Sequence, residues 1–408
     1  MSNVVPDGWQ FSILGDCAQN VSKKYVLAES KNTRYVGLEH IVSDTKNIRR
    51  WGYADDVIST KSEFKVGDTL FGKLRPYLKK VSISDFDGIC STDILVLRAK
   101  SKIDSDFLHR VLSSEEAILY SMESSAGNVM PRTSWKDMSV YQFMLPPLSE
   151  QKKIAAILTS VDDVIEKTQA QIDKLKDLKA GMMQELLTRG VGVDGKPHTE
   201  FKDSPVGRIP KGWDCCLLDK VAKRGSGHTP DKKKPEYWND GVKWVSLTDS
   251  SKLDKLYISD TAKKISQLGI ENSSATLHPK GTVVMVRDAG VGKSAIMTSS
   301  MAVSQHFMAW VCGEKLDNYF LYYLLQHWKP QFEAIAMGST IKTIGLPYFK
   351  KLQIPVPSIE EQRVISGALK SVDNKMFALE RKHKQLTSTK KALMQDLLTG
   401  KVRVKVEG

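Results

Sequence analysis

Two stretches of this sequence set cations among hydroxyl, imidazole and aromatic groups. One is Lys73-Leu74-Arg75-Pro76-Tyr77-Leu78-Lys79-Lys80; the other runs from Gly225 to Trp238 and offers Ser226, His228, Thr229, Lys232, Lys233 and Lys234, with Tyr237 and Trp238 to anchor it. Such groups hold phosphates and present donors to base edges. Lys73 and Arg75 follow an apolar strand whose end would aim them outward. Arg49, Arg50, Tyr77, Lys79, Arg132, Arg287, Lys293 and Lys342 complete the set of candidate contacts. Gln305 and His306 occupy a place comparable to Thr92 and Asp93, close to the expected reading surface, although His306 equally fits a satisfied core histidine. Any one basic cluster could be a solvated surface; clusters at corresponding places in two halves argue for function.

Chemistry that changes bonds is harder to find. Asp288-Ala289-Gly290-Val291-Gly292-Lys293-Ser294 resembles the end of a phosphate-binding loop, but Arg287 stands where that motif needs a glycine, and the residues after Ser294 are turn-like and β-leaning. A glycine turn that lets the backbone and Lys293 approach a nucleic acid is preferred. The sequence has no Asn-Pro-Pro-aromatic or Asp-Pro-Pro-aromatic motif and no glycine-rich cofactor loop. Glu63-Phe64-Lys65 has the acid-x-Lys form of many nucleases without a plausible partner aspartate, and reads as a surface turn. No catalytic residue, cofactor or metal is expected.

The elements that would position these groups are duplicated. Gly127 to Thr188 reappears without a gap as Gly338 to Thr399, at an offset of 211 residues. The front of each half matches at an offset of 204, Pro6-Asp7-Gly8-Trp9 answering Pro210-Lys211-Gly212-Trp213. A frame repeated with varied inserts makes one kind of contact twice, with different specificity. The 408 residues suffice for two globular domains plus connectors. The net charge of +13 is uneven: residues 1–148 hold 19 basic and 18 acidic side chains, residues 209–357 hold 20 and 13. Five cysteines without Cys-x-x-Cys argue against disulfides and structural zinc, and no apolar run is long enough for a bilayer. These features suggest a reducing cytoplasm and no membrane.

After Pro146-Pro147, Ser149-Glu150-Gln151 offers a cap and first-turn acid, predicting a long helix. Its seam is Ile154, Leu158, Val161, Ile165, Ile172, Leu175, Met182 and Leu186, with Thr168 and Lys179 in the missing slots. Adding 211 gives Ile365, Leu369, Val372, Met376, Leu379, Leu386, Leu393 and Leu397, with His383 and Lys390. Each helix would run roughly 58 Å, too long for a core helix of one domain. Packing the seams against each other as an antiparallel coiled coil buries both. The polar seam residues would fix register. An approximate internal two-fold axis follows.

The expected fold class is α+β, with two similar domains carrying mostly β platforms. Strands are predicted over Thr69 to Phe71, Ile94 to Leu97, Val242 to Leu247, Thr282 to Val286 and Met301 to Trp310. The expected division is 1–148 first domain, 149–189 first helix, 190–208 linker, 209–357 second domain, 358–400 second helix and 401–408 tail.

The doubled LPPLSEQKKIAAIL and VPSIEEQRVISGAL, the Gln-x-Leu-Leu-Thr helix ends, FKDSPVGRIPKGW and RGSGHTPDKKKPEYW resemble the specificity subunits of type I restriction-modification systems. GDTLFGKLRPYLKKV followed by ICSTDILVL is similar to that family's target-recognition domains. The resemblance implies that each variable domain reads one half of a bipartite double-stranded DNA target, that the helices set the spacing and that two methyltransferase subunits dock along them. Restriction and translocase subunits would join through the assembled complex. The competing classes are an autonomous DNA-modifying or DNA-cleaving enzyme with an unrecognised site, and a coiled-coil scaffold that binds no nucleic acid.

Overall fold

A computed structural model describes residues 5–25, 32–56, 61–125, 130–338 and 342–406, apart from the side chains of 239 and 240. Gly127, where the long repeat begins, lies outside the described residues. The chain forms two compact units that are not consecutive in sequence: residues 1–170 with 381–408, and residues 171–380.

In the first unit the central sheet has the order Ala18–Asn20, Ile94–Ala99, Thr69–Gly72, Val81–Ile83, with antiparallel neighbours throughout. Successive residues of a strand face opposite ways, and here both faces are covered. Leu95, Leu97 and Phe71 pack with Phe107, Leu108 and Val111 of the helix Ser105–Leu112, and with Ile154 and Leu158 of the first long helix. Leu70, Ile94 and Val96 pack the other way, on Val36, Phe64 and Cys90 of a five-stranded sheet. Burial on both faces makes these strands read as apolar runs rather than alternating ones.

The second unit repeats the arrangement. Its central sheet runs Ala222–Ser226, Phe307–Cys312, Val283–Val286, Ser294–Met297, with Tyr257–Ile258 added in parallel at the edge. Val283, Met285, Met308 and Trp310 join Phe320, Leu321 and Leu324 of the helix Asn318–His327, while Val284, Val286, Phe307 and Ala309 meet Val245, Met301 and Val303. Met301 to Trp310, expected as one strand, is two: Met301–Val303 belongs to a separate four-stranded sheet, and the chain turns at Ser304-Gln305-His306 before Phe307–Cys312. The apolar run hides the break because both pieces are buried. Similarly, the strand from Trp238 ends at Val245, and Leu247 opens a 3-10 turn. Glu63 lies in the strand Lys61–Phe64 rather than a turn, paired with Lys23 at 2.7 Å.

The long helices span Leu148–Thr188 and Ile359–Leu398. Ser149 falls inside the first turn; in the second helix it is Ser358 whose hydroxyl accepts from the Glu361 amide, at 3.2 Å. Every seam position of both helices is buried or half-buried. Ile154, Leu158 and Leu397 are at most 2% exposed, each worth about 1.5–3 kcal/mol of burial.

The repeated Glu-Gln step proves to be a joint. Gln151 accepts from the Asp104 amide at 2.8 Å and donates to the Lys102 and Pro146 carbonyls. Gln362 does the same with Asp317, Lys315 and Pro357. Each glutamine thus ties its long helix to the N-cap of the short helix on the sheet. Glu150 holds Trp9 and Arg403, and Glu361 holds His198 and the Val191 amide.

Within each unit the two helix segments run antiparallel, and a seam lysine marks the register. In the first unit Lys390 meets Asp162 at 2.6 Å, and Arg110 meets the same carboxylate at 2.5 Å. In the second Lys179 meets Asp373 at 2.6 Å and the Tyr323 hydroxyl donates to it at 2.7 Å. A paired charge at a seam position is satisfied in one register only.

Candidate nucleic-acid interface

Many of the candidate residues, though not Arg49 and Arg50, gather where the central strands end. In the first unit the strand Thr69–Gly72 turns back into Val81–Ile83, closed by the Gly72 amide on the Lys80 carbonyl at 2.8 Å. All of Lys73 to Lys80 therefore lies in one hairpin loop. Its base is sewn to two other segments: the Lys73 amide donates to Asp93 at 2.8 Å, Arg75 to Pro131 at 2.8 Å, and Thr133 donates to Lys73 at 3.1 Å. Leu74 and Arg132 form an isolated antiparallel bridge.

The second unit reproduces this knot bond for bond. The Val286 amide donates to Lys293 at 2.8 Å, Arg287 to His306 at 2.9 Å, Ala289 to Lys342 at 3.1 Å and Ile344 to Arg287 at 2.9 Å, with Asp288 bridged to Thr343. Even the strain recurs. Arg75 and Ala289 have φ of 52° and 53°, a left-handed conformation that side-chain-bearing residues rarely adopt and that is concentrated at functional sites. The equivalences are thus Lys73 with Arg287, Leu74 with Asp288, Arg75 with Ala289, Asp93 with His306, and Arg132 with Thr343.

On this shared backbone the side chains differ. In the first knot Arg132 is half-exposed and meets Asp93 at 2.8 Å. Lys73 is half-buried; burial lowers its pKa, Asp93 opposes that and Arg132 adds to it. Arg75 and Tyr77 are exposed, and Lys79 reaches Glu115 at 3.5 Å. Arg49 is tied to Glu166 of the long helix at 2.6 Å, and Arg50 is exposed beside it.

In the second knot Asp288 is the hub. His306 meets it at 2.9 Å, Arg287 at 3.5 Å, and the Thr343 hydroxyl donates to it. His306 is therefore a half-exposed histidine oriented by a carboxylate rather than a core residue. Arg287 also donates to the carbonyls of Gln305 at 3.0 Å and Ile344 at 3.1 Å, so its guanidinium is turned inward to brace the turn. Gln305 is exposed and accepts from Thr229 at 2.6 Å; Ser226 donates to the Phe307 carbonyl at 3.1 Å. These bonds bring the loop after Ser226 to the knot. Gly227 permits the approach, since an added Cβ would overlap the Val303 carbonyl. Beyond it His228 is exposed, its carbonyl held by Trp244 at 3.1 Å. Lys232 and Lys233 are exposed, Lys234 lies over Tyr237, and Trp238 donates to the Asp231 carbonyl. Lys342 is exposed on the knot, while Lys293 turns to the Ser250 hydroxyl at 3.1 Å. The glycine turn before Lys293 leads into the strand Ser294–Met297, so no helix N-terminus faces it as a nucleotide-binding loop requires.

Sequence reading missed Asp288 as a hub and Asp93 as a brace, because neither is basic. The 211-residue offset does pair Arg132 with Thr343, a usable signal. Nothing in the sequence announces the left-handed Arg75 and Ala289.

One backbone frame used twice, with its polar tips rewritten, defines a duplicated recognition protein. The chain belongs to the family of type I restriction-modification DNA specificity subunits: the type I restriction modification DNA specificity domain matches it twice, over residues 6–177 and 210–387. It is 32% identical to the type I restriction enzyme MjaVIII specificity subunit of Methanocaldococcus jannaschii, over 78% of this chain and 75% of that one. It is 29% identical to the putative MjaX specificity subunit of the same organism, over 98% and 95%. In fold it is similar to a chain solved in work on complex assembly and conformational transition of the type I R-M system, with TM-score 0.62, 21% identity and coverage of 98% and 100%. The S subunit from M. genitalium has the same TM-score, 0.62, at 12% identity and coverage of 98% and 97%. The chain is a DNA specificity subunit.

Proposed function

We propose that the two strand-end knots are its two reading heads, each facing one half of a bipartite duplex target through the major groove. The observation that carries this reading is the repeated backbone knot with divergent side chains: Lys73, Leu74, Arg75, Asp93 and Arg132 against Arg287, Asp288, Ala289, His306 and Thr343. Identical scaffolding with different donors and acceptors is what two different half-sites require. Lys232, Lys233, Lys342 and Arg75 suit phosphates, and Arg287 braces Gln305 and His306 rather than touching DNA. The antiparallel helices act as spacer and as the docking surface for two methyltransferase subunits, with restriction subunits joining the assembly, and the chain itself catalyses nothing.

Replacing residues 21–139 with the segment of a relative, then mapping modified bases in cells that carry the methyltransferase partner, should change one half-site and leave the other half and the spacing intact. A swap that rewrote both halves would refute separate reading. Inserting a matched heptad in both helices, near Thr168 and Leu379, adds about 10.5 Å along each and should lengthen the spacer by about one to three base pairs. An active complex that kept its spacing would remove the helices as ruler. Purified alone with S-adenosylmethionine, ATP, magnesium and DNA, the chain should show no turnover.

A further inference from the structure

At one position of the shared knot a guanidinium, Arg132, stands where the second unit has a hydroxyl, Thr343. We propose that Arg132, steadied by Asp93, reads a guanine in the half-site contacted by the first unit, an inference that rests on the reading-head assignment above.

The argument turns on the acid. Arg132 is half-exposed, and its Nη2 lies 2.8 Å from Asp93 Oδ1, an ion pair that steadies one end of the planar fork and leaves most of it open. Asp93 is itself fixed, its carbonyl bonded to the Lys73 amide and its own amide to the Ser91 hydroxyl at 3.2 Å. A carboxylate within ion-pair distance is unfavourable beside a phosphate, because it repels the group to be bound. At a base edge it is tolerated and useful, since specificity there depends on a rigid donor pattern. A fork of N–H donors with fixed geometry matches O6 and N7 of guanine, which no other base edge presents as two adjacent acceptors. Arg75 is the opposite case: it is exposed, and among the described residues no acid pairs with it, as suits a phosphate contact. In the second unit Thr343 donates inward to Asp288, so guanine reading by this device belongs to the first half-site alone.

The test uses the chain with its methyltransferase partner. Base-modification mapping should give a first half-site containing guanine, and Arg132→Ala and Arg132→Lys should relax that position while the second half-site and the spacing stay fixed. In binding assays on the mapped duplex, 7-deazaguanine at that position, which keeps O6 but lacks the N7 acceptor, should weaken the wild-type complex by about 2- to 12-fold and leave the Arg132→Ala complex indifferent. The dependence of affinity on salt should be unchanged by Arg132→Ala, whereas Arg75→Ala should reduce its logarithmic slope by about 0.9. Asp93→Ala should widen tolerance at the same position with Arg132 still in place. A first half-site without guanine, or an Arg132→Ala complex as sensitive to 7-deazaguanine as wild type, overturns the proposal. The segment swap separates the two levels. If the swap rewrites the half-site but Arg132→Ala does not relax a guanine, only the present inference fails; if the swap changes neither half, the reading-head assignment fails.

Discussion

The helix joints of the two units share one design and differ in charge. Asp162 is clasped by two cations, Arg110 and Lys390, with side chains 1% and 14% exposed. Asp373 is clasped by one cation, Lys179, and one neutral hydroxyl, Tyr323. The same contrast runs through the knots: the first is cationic with a single aspartate between Lys73 and Arg132, the second is organised around Asp288. What recurs is geometry, the position of a carboxylate or an amide; what changes is which partner satisfies it. A duplicated frame tolerates this because the backbone bonds fix each place independently of the side chain that fills it.

The sharpest way to break the comparison is at the joints. Asp162→Ala strands two buried cations and should cost about 3–5 kcal/mol, while Asp373→Ala strands one cation and a hydroxyl and should cost less. Urea unfolding of the two variants would measure the difference, and equal losses would deny that the joints are energetically distinct. Asp162→Asn should recover part of the loss by keeping an acceptor.

At the knots the roles of equivalent residues should separate. Arg287→Ala leaves the carbonyls of Gln305 and Ile344 without a donor and should destabilise by about 1–3 kcal/mol. Lys73→Ala breaks no such internal bracing and should leave stability nearly unchanged while weakening DNA binding. Thermal melts and salt-dependent binding of both variants test this; an Arg287→Ala protein with wild-type stability would return that arginine to the list of contacts.

The smallest effect concerns pH. His109, on the short helix of the first unit, is fully buried, and burial, then Arg110, Lys390 and Lys46, hold its pKa well below the ordinary histidine value. It borders a cavity of about 440 Å³ that is also lined by Glu115, Glu116, Asp162, His383 and Lys390. Because the folded pKa is depressed, the unfolded chain binds the proton first, so stability falls as pH drops through about 6.5. Counting from the N-caps Asp104 and Asp317, the corresponding residue of the second unit is Tyr322, whose pKa burial raises, so it stays neutral across the same range. Melts between pH 7.5 and 5.5 should show a decline that His109→Phe reduces. A variant with the wild-type slope would assign the dependence to other groups.

Much of this was legible in the residues. The heptad seam fixed both helices within a residue or two, because a period of about 3.5 residues sustained over ten positions is the mark of a helix that buries one stripe against another. The 211-residue offset identified the repeat, and the basic cluster Lys73 to Lys80 coincides with one hairpin loop of the first unit. Strand limits were less legible: Met301 to Trp310 concealed a turn, since residues buried on both faces lose the alternation that marks a strand. Charge alone also gave no sign that Arg287 and Lys293 turn their donors inward.

The sequence by itself determined the duplication, the helix pair and the family, because these depend on periodicity and on local backbone chemistry that one segment can specify. Only the tertiary structure decided which distant residues share a knot. Lys73, Asp93 and Arg132 are joined by backbone bonds between three separate segments, as are Arg287, His306 and Thr343. Such bonds involve groups common to every residue and so leave little trace in side-chain type. The same holds for the left-handed Arg75 and Ala289, a conformation imposed by the surrounding bonds against the residues' own preference.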